Sequence, residues 1–224
     1  MDTYNTLAGS QVSRRNFLKG AGAGAAGFTL AQIGFLRHAA AESESLQDIL
    51  NITATTERFG ITFLGEGLQS AKAGNYNKPI PDSVIAIVTA ARAQEQFHLD
   101  AFERAGGVPL VDKFYIPPAA LTDYDTFFSA IVLQETVETA AQIAAMTTFT
   151  KMKRPDLAKV SFQYAAEESE HRLVANYALG TRPANDVAFA PAIFDTVAGF
   201  YQSLKDRGII GGPGTEINFQ ARAR

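Results

Sequence analysis

Glu95-Gln96-Phe97-His98 and Glu168-Ser169-Glu170-His171 repeat one arrangement, a carboxylate followed three residues later by an imidazole. On a helix, positions i and i+3 share a face, so each pair can grip one cation from the same side. His98 and His171 are the only histidines after Ala41, and the 183 residues from there on contain 12 glutamates. Two randomly placed histidines would both carry Glu at this offset only about once in 200 trials, so the pattern argues for a metal site. The chain has no cysteine. Disulfides, zinc fingers and iron–sulfur clusters are therefore excluded, and any metal must be held by oxygen and imidazole nitrogen.

The elements that must position these pairs read as helices almost throughout. A first segment, about Leu46 to Lys72, carries Leu50, Thr53, Glu57, Ile61 and Leu64 on one stripe and ends before the loop from Gly74 to Pro79. A second begins with Asp82 or Ser83 as N-cap and runs to Gly106, aligning Ile87, Ala91, Glu95, His98 and Phe102. A third, about Asp123 to Lys151, aligns Phe128, Ile131, Glu135 and Gln142. The fourth, Pro155 to Gly180, aligns Val160, Tyr164, Glu168, His171 and Ala175, with Pro and Gly as helix punctuation at its ends. A shorter piece, Ala192 to Arg207, puts Ile193, Val197, Phe200 and Leu204 on one side. No strand pattern stands out. Helices this long predict an all-α fold, an antiparallel four-helix bundle with an extra C-terminal helix. The connection from Gly106 to Thr122, with Pro109, Pro117 and Pro118, is where a crossover could lie.

Glu57, Glu95, Glu135 and Glu168 thus fall on the apolar stripes of four different helices, where a lone ionised carboxylate is heavily penalised. Two divalent cations would supply the compensating charge. Glu42, Glu44, Glu103, Glu167 and Glu216 read instead as solvated surface residues, and Glu66 as surface or flanking. Glu138, one turn beyond Glu135, is open to three readings, a seventh ligand, a proton acceptor or a solvated side chain, of which the last is the ordinary case. Tyr164 could hydrogen-bond a ligand, be oxidised in turnover or simply fill the core with its hydroxyl satisfied. Gln134 and Gln142 have comparable supporting roles open to them.

Residues 1–41 read as an export segment: Ser13-Arg14-Arg15-Asn16-Phe17-Leu18-Lys19, a weakly apolar stretch from Ala21 to Leu36, and the small-residue site Ala39-Ala40-Ala41. The twin arginines with Asn-Phe-Leu-Lys closely resemble the bacterial twin-arginine signal, which carries folded proteins across the inner membrane. A periplasmic or otherwise exported location follows, with the twin-arginine machinery as a partner. The apolar stretch holds four glycines and is too short and weak for a membrane span. Taking Arg14, Arg15, Lys19 and Arg37, and the one acid Asp2, from the 20 basic and 23 acidic residues of the whole chain leaves 16 and 22, a net charge of −6. A chain of that sign is not built for nucleic acid or anionic membranes. The expected organisation is a signal over 1–41, one domain over 42–207 and a tail over 208–224.

The order Glu57, Glu95 with His98, Glu135, and Glu168 with His171 resembles the dinuclear pattern of the ferritin-like superfamily, a Glu from each of two helices and Glu-x-x-His from each of the other two. Asp48-Ile49-Leu50-Asn51 and Ala165-Ala166-Glu167-Glu168-Ser169-Glu170-His171 are similar to segments of its exported bacterial, desiccation-related members. The resemblance covers roughly residues 46 to 190. It implies that these six residues bind two iron or two manganese ions, reactive toward dioxygen or peroxide in oxidative or drying stress, as an oxidase, peroxidase or catalase-like enzyme. It singles out no catalytic residue beyond the metal ligands. A small oxidant substrate and a homo-oligomer are compatible with it. The alternatives are a non-catalytic iron-storage protein or a structural stress protein whose metal only holds the bundle together.

Overall fold

A computed structural model describes residues 44–185 and 190–220, so the signal expected over 1–41, and Glu42 with it, lies outside the described residues. With 67% of the described residues helical and only a two-stranded ribbon beside them, the class is all-α. The helices are α1 (Leu46–Lys72), α2 (Asp82–Arg104), α3 (Tyr124–Lys151), α4 (Pro155–Ala178) and α5 (Val197–Asp206). Among the described residues, no helix is long and apolar enough to cross a membrane.

Local chemistry sets these boundaries. Ser45 and Asp48 form a capping box at the start of α1, satisfying amide groups the first turn leaves orphaned. Asp123 caps α3 by accepting from the Thr126 amide at 2.8 Å. Pro81 precedes α2 without a side-chain cap, and Asp82 is already helical, so neither Asp82 nor Ser83 is the N-cap. A three-residue turn with Lys153 in the left-handed region joins α3 to α4. Glu44 is buried rather than solvated: its carboxylate accepts from the Val197 and Ala198 amides and so caps α5 alongside Thr196.

Cross-helix hydrogen bonds give the direction of packing. Tyr124 meets Ala178, Thr136 meets Arg172 and Gln142 meets Ser161, positions that rise along α3 as they fall along α4, so the pair is antiparallel. Arg58 with Glu103 and Ile61 with Arg92 pair α1 and α2 in the same sense. The core between the pairs is rich in phenylalanine, with Phe59, Phe63, Phe114, Phe127 and Phe128 in ring contact at 5.1–5.7 Å. Truncating a ring such as Phe127, 1% exposed, would cost about 3–5 kcal/mol.

The strands contradict the expectation of no strand. β1 (Lys113–Ile116) lies in the long connection and pairs antiparallel with β2 (Thr215–Asn218), with Phe114 opposite Ile217. Phe114 and Ile116 are fully buried, so the ribbon is seated by two side chains at alternate positions, too short a pattern to register as periodicity. The ribbon packs on α1, and α5 packs on both α1 and α3. The outer faces of α2 and α4 stay exposed. There the expected stripes are shifted: Ile87 and Val160 are exposed, while Val88 and Ser161 take the inward positions.

Candidate metal centre

The four long helices bring all six singled-out residues to one interior point. Glu57 comes from α1, Glu95 and His98 from α2, Glu135 from α3, Glu168 and His171 from α4, and none is more than 6% exposed. Two overlapping groups form: Glu57, Glu95, His98 and Glu168, and Glu95, Glu135, Glu168 and His171, each with its donor atoms within 4.8 Å of one another. Glu95 and Glu168 belong to both and lie between the halves. Glu168 shows this directly, with Oε1 3.3 Å from His98 Nδ1 and Oε2 3.0 Å from His171 Nδ1. His98 Nδ1 is also 3.3 Å from Glu57 Oε2, and His171 Nδ1 is 3.3 Å from Glu95 Oε1.

Both imidazoles turn Nδ1 inward and Nε2 outward. The outer nitrogen of His98 meets Glu167 Oε2 at 2.7 Å, and that of His171 donates to Gln94 Oε1 at 3.0 Å. An acceptor on Nε2 fixes the hydrogen there and leaves the Nδ1 lone pair free for a cation. The Tyr164 ring stands edge-on to His98, with centroids 4.4 Å apart, and holds the imidazole from the side. Gly60, one turn after Glu57, makes room for Glu95: a Cβ there would lie 2.7 Å from Glu95 Oε2.

Hydrogen bonding leaves the cluster conspicuously incomplete. Glu57 Oε2, both Glu95 oxygens, Glu135 Oε2 and His98 Nδ1 are buried with no hydrogen-bond partner. A buried polar atom without a partner costs about 1–3 kcal/mol, so a group of them at one point needs a common explanation. Bound cations would supply one. Four carboxylates and two imidazoles form a hard, mixed O/N donor set that suits iron or manganese, and the residues present fit such ions.

The metal-free electrostatics point the same way. Burial, reinforced by Glu95, raises the Glu57 carboxyl well above its ordinary value; burial, reinforced by Glu168, does the same for Glu135. Burial alone would depress His171, but its hydrogen bond to Glu168 and the nearby Glu95 carboxylate reverse the sign and push it up to about 10. His98 is also raised, Glu57 and Glu168 outweighing burial. Burial opposes ionisation of Glu168 too, yet the two imidazoles hold it down at about 2. Without metal, protons do the neutralising.

Two supporting residues differ from expectation. Glu167 is not a solvated glutamate but the partner of His98 Nε2. Glu138 is not solvated either: it is 4% exposed, neither oxygen has a hydrogen-bond partner, and burial with Glu95 and Glu168 raises it well above its ordinary value. Gln142 accepts from Ser161 Oγ at 2.6 Å, and Gln134 accepts from Arg207 at 2.8 Å. Gln94, Gly60 and Arg207 carry no sequence signal of their own. Gln94 and Glu167 sit immediately before the two motif glutamates, and that adjacency was the one available hint.

A model of the twin-arginine translocation pathway signal sequence matches residues 11–31. The chain therefore carries a signal for export through that pathway. Neither the curated proteins nor the solved structures contain a significant match to it.

Proposed function

We propose that this chain is an exported ferritin-like protein whose four long helices form a bundle around two iron or two manganese ions. The signal is removed after Ala41, leaving a mature chain that starts at Glu42. Glu57, Glu95, His98 and Glu168 would hold one ion, and Glu95, Glu135, Glu168 and His171 the other. The observation that carries this reading is the convergence of partnerless carboxylate oxygens and two inward Nδ1 atoms at one buried point. When bound, a pair of redox-active ions supplies electrons to dioxygen or a peroxide, which suits protection of the cell envelope under oxidative or drying stress. The protein's own part is to hold the ligands rigid, set the histidine tautomers through Glu167 and Gln94, and keep bulk water from a site whose ligands are almost wholly buried.

Metal analysis of the mature protein recovered from its native envelope should give about two ions per chain. Oxygen or peroxide consumption should then be lost in both His98→Ala and His171→Ala, although each touches one half, and the double variant should be no worse than either. Fewer than one ion per chain would refute the metal reading. Two ions with no reaction toward either oxidant, under iron and under manganese, would leave a storage or structural protein.

A further inference from the structure

The two halves of the centre are not equally accessible. A pocket of about 240 Å³ between α2, α3 and α4, with Leu64 of α1 in its wall, ends on Glu135 and His171, while Glu57 and His98 do not line it. On the other half, His98 is fully buried and covered by Tyr164, which in turn packs on Phe102. The pocket walls include Val88 and Ala91 from α2, Phe128 and Ile131 from α3, and Val174 and Ala175 from α4. Ile87, 43% exposed, stands at its rim.

We propose that this pocket binds a small, uncharged, largely apolar organic molecule against the Glu135–His171 half of the centre. Size argues for an organic ligand. A dry, closed apolar cavity of about 150 Å³ accepts benzene, and this partly open pocket of about 240 Å³ has room for a substituted single ring or a short alkyl chain, far more than dioxygen needs. Charge argues for neutrality. No Lys or Arg lines the pocket to receive an anion, Glu135 and Glu170 would repel one, and apolar walls penalise any ion stripped of water. Gln94 and His171 already satisfy each other at the polar end, so the walls must supply most of the affinity. The inference rests on the dinuclear reading only for where the ligand is presented; binding itself needs no metal.

Benzene is the probe. Calorimetric titration of the mature protein as purified should give saturable binding, and Ala91→Leu and Val174→Phe, which fill the pocket from different helices, should each weaken it at least about tenfold while metal content stays unchanged. In the chelated protein, benzene should shift the ring resonances of His171 and leave those of His98 in place, a wild-type measurement that stands even if neither variant folds. Absence of saturable binding, or equal response of both histidines, overturns the proposal. Benzene binding in a protein that takes up no metal would instead refute the dinuclear reading and leave the pocket standing.

Discussion

Filling the site should expel protons, and the structure names the groups that would lose them. In the metal-free cluster His98, His171, Glu57 and Glu135 all have values raised above their ordinary ones, His171 to about 10, so each favours its protonated form, while Glu168, at about 2, is ionised near neutral pH. Each of the four must present a lone pair or a charge to a cation, so loading two divalent ions should release up to about four protons per chain, and the charge of the buried cluster should barely change. By linkage, the slope of the logarithm of the two-ion binding constant against pH equals the number released. A release of about four protons means a ~10⁴-fold rise in that constant between pH 6 and pH 7, or about 5.5 kcal/mol at 1.36 kcal/mol per decade. Titration calorimetry at pH 7 in buffers of different ionisation enthalpy reads the proton count directly. Two ions bound with fewer than about one proton released would refute the reasoning, because ions held on exposed, already ionised carboxylates displace almost none.

The same shifts fix the sign of the stability change. Glu57, Glu135, His98 and His171 have raised folded-state values, so their contribution is present at low pH and lost as pH rises, whereas Glu168 contributes above its ordinary 4.5 and loses that only toward pH 2. The metal-free melting temperature should therefore fall between pH 5 and pH 9, and the gap between loaded and chelated protein should widen; a constant or shrinking gap in scanning calorimetry would count against a buried site. Gly60→Ala should weaken metal binding about tenfold or more by pushing Glu95 aside, while the metal-free helix gains up to about 1 kcal/mol in propensity; unchanged affinity in a competition assay would show that Glu95 is not held there. Replacing Arg14 and Arg15 by Lys should leave a folded precursor in the cytoplasm, and normal export of that variant on cell fractionation would contradict use of the signal.

What was legible in the sequence is what repeats with the helical period. Glu95 with His98, and Glu168 with His171, announce themselves by spacing, and Glu57 and Glu135 by charge on an apolar stripe; the helices carrying them begin and end within two residues of the expected places. The ribbon was illegible because β1 and β2 are four residues each, with 98 residues between Ile116 and Thr215, so nothing local records their pairing. Glu138 shows a different limit. Periodicity places it only about 60° from the ligand stripe. Its burial comes from packing that periodicity does not report, including α5, which leads to Arg207 beside Gln134. A side chain's distance from the stripe says which way it points; whether that direction holds water depends on elements far away in sequence. The same holds for the pocket, where Ile87 was aligned with Glu95 yet lies at an open rim, because the space between α2, α3 and α4 is not filled there by any larger side chain. Candidate ligands can be read from spacing because one cation would impose a geometry on them. Residues that admit or exclude a ligand are defined by what is missing around them, and that is a property of the folded packing alone.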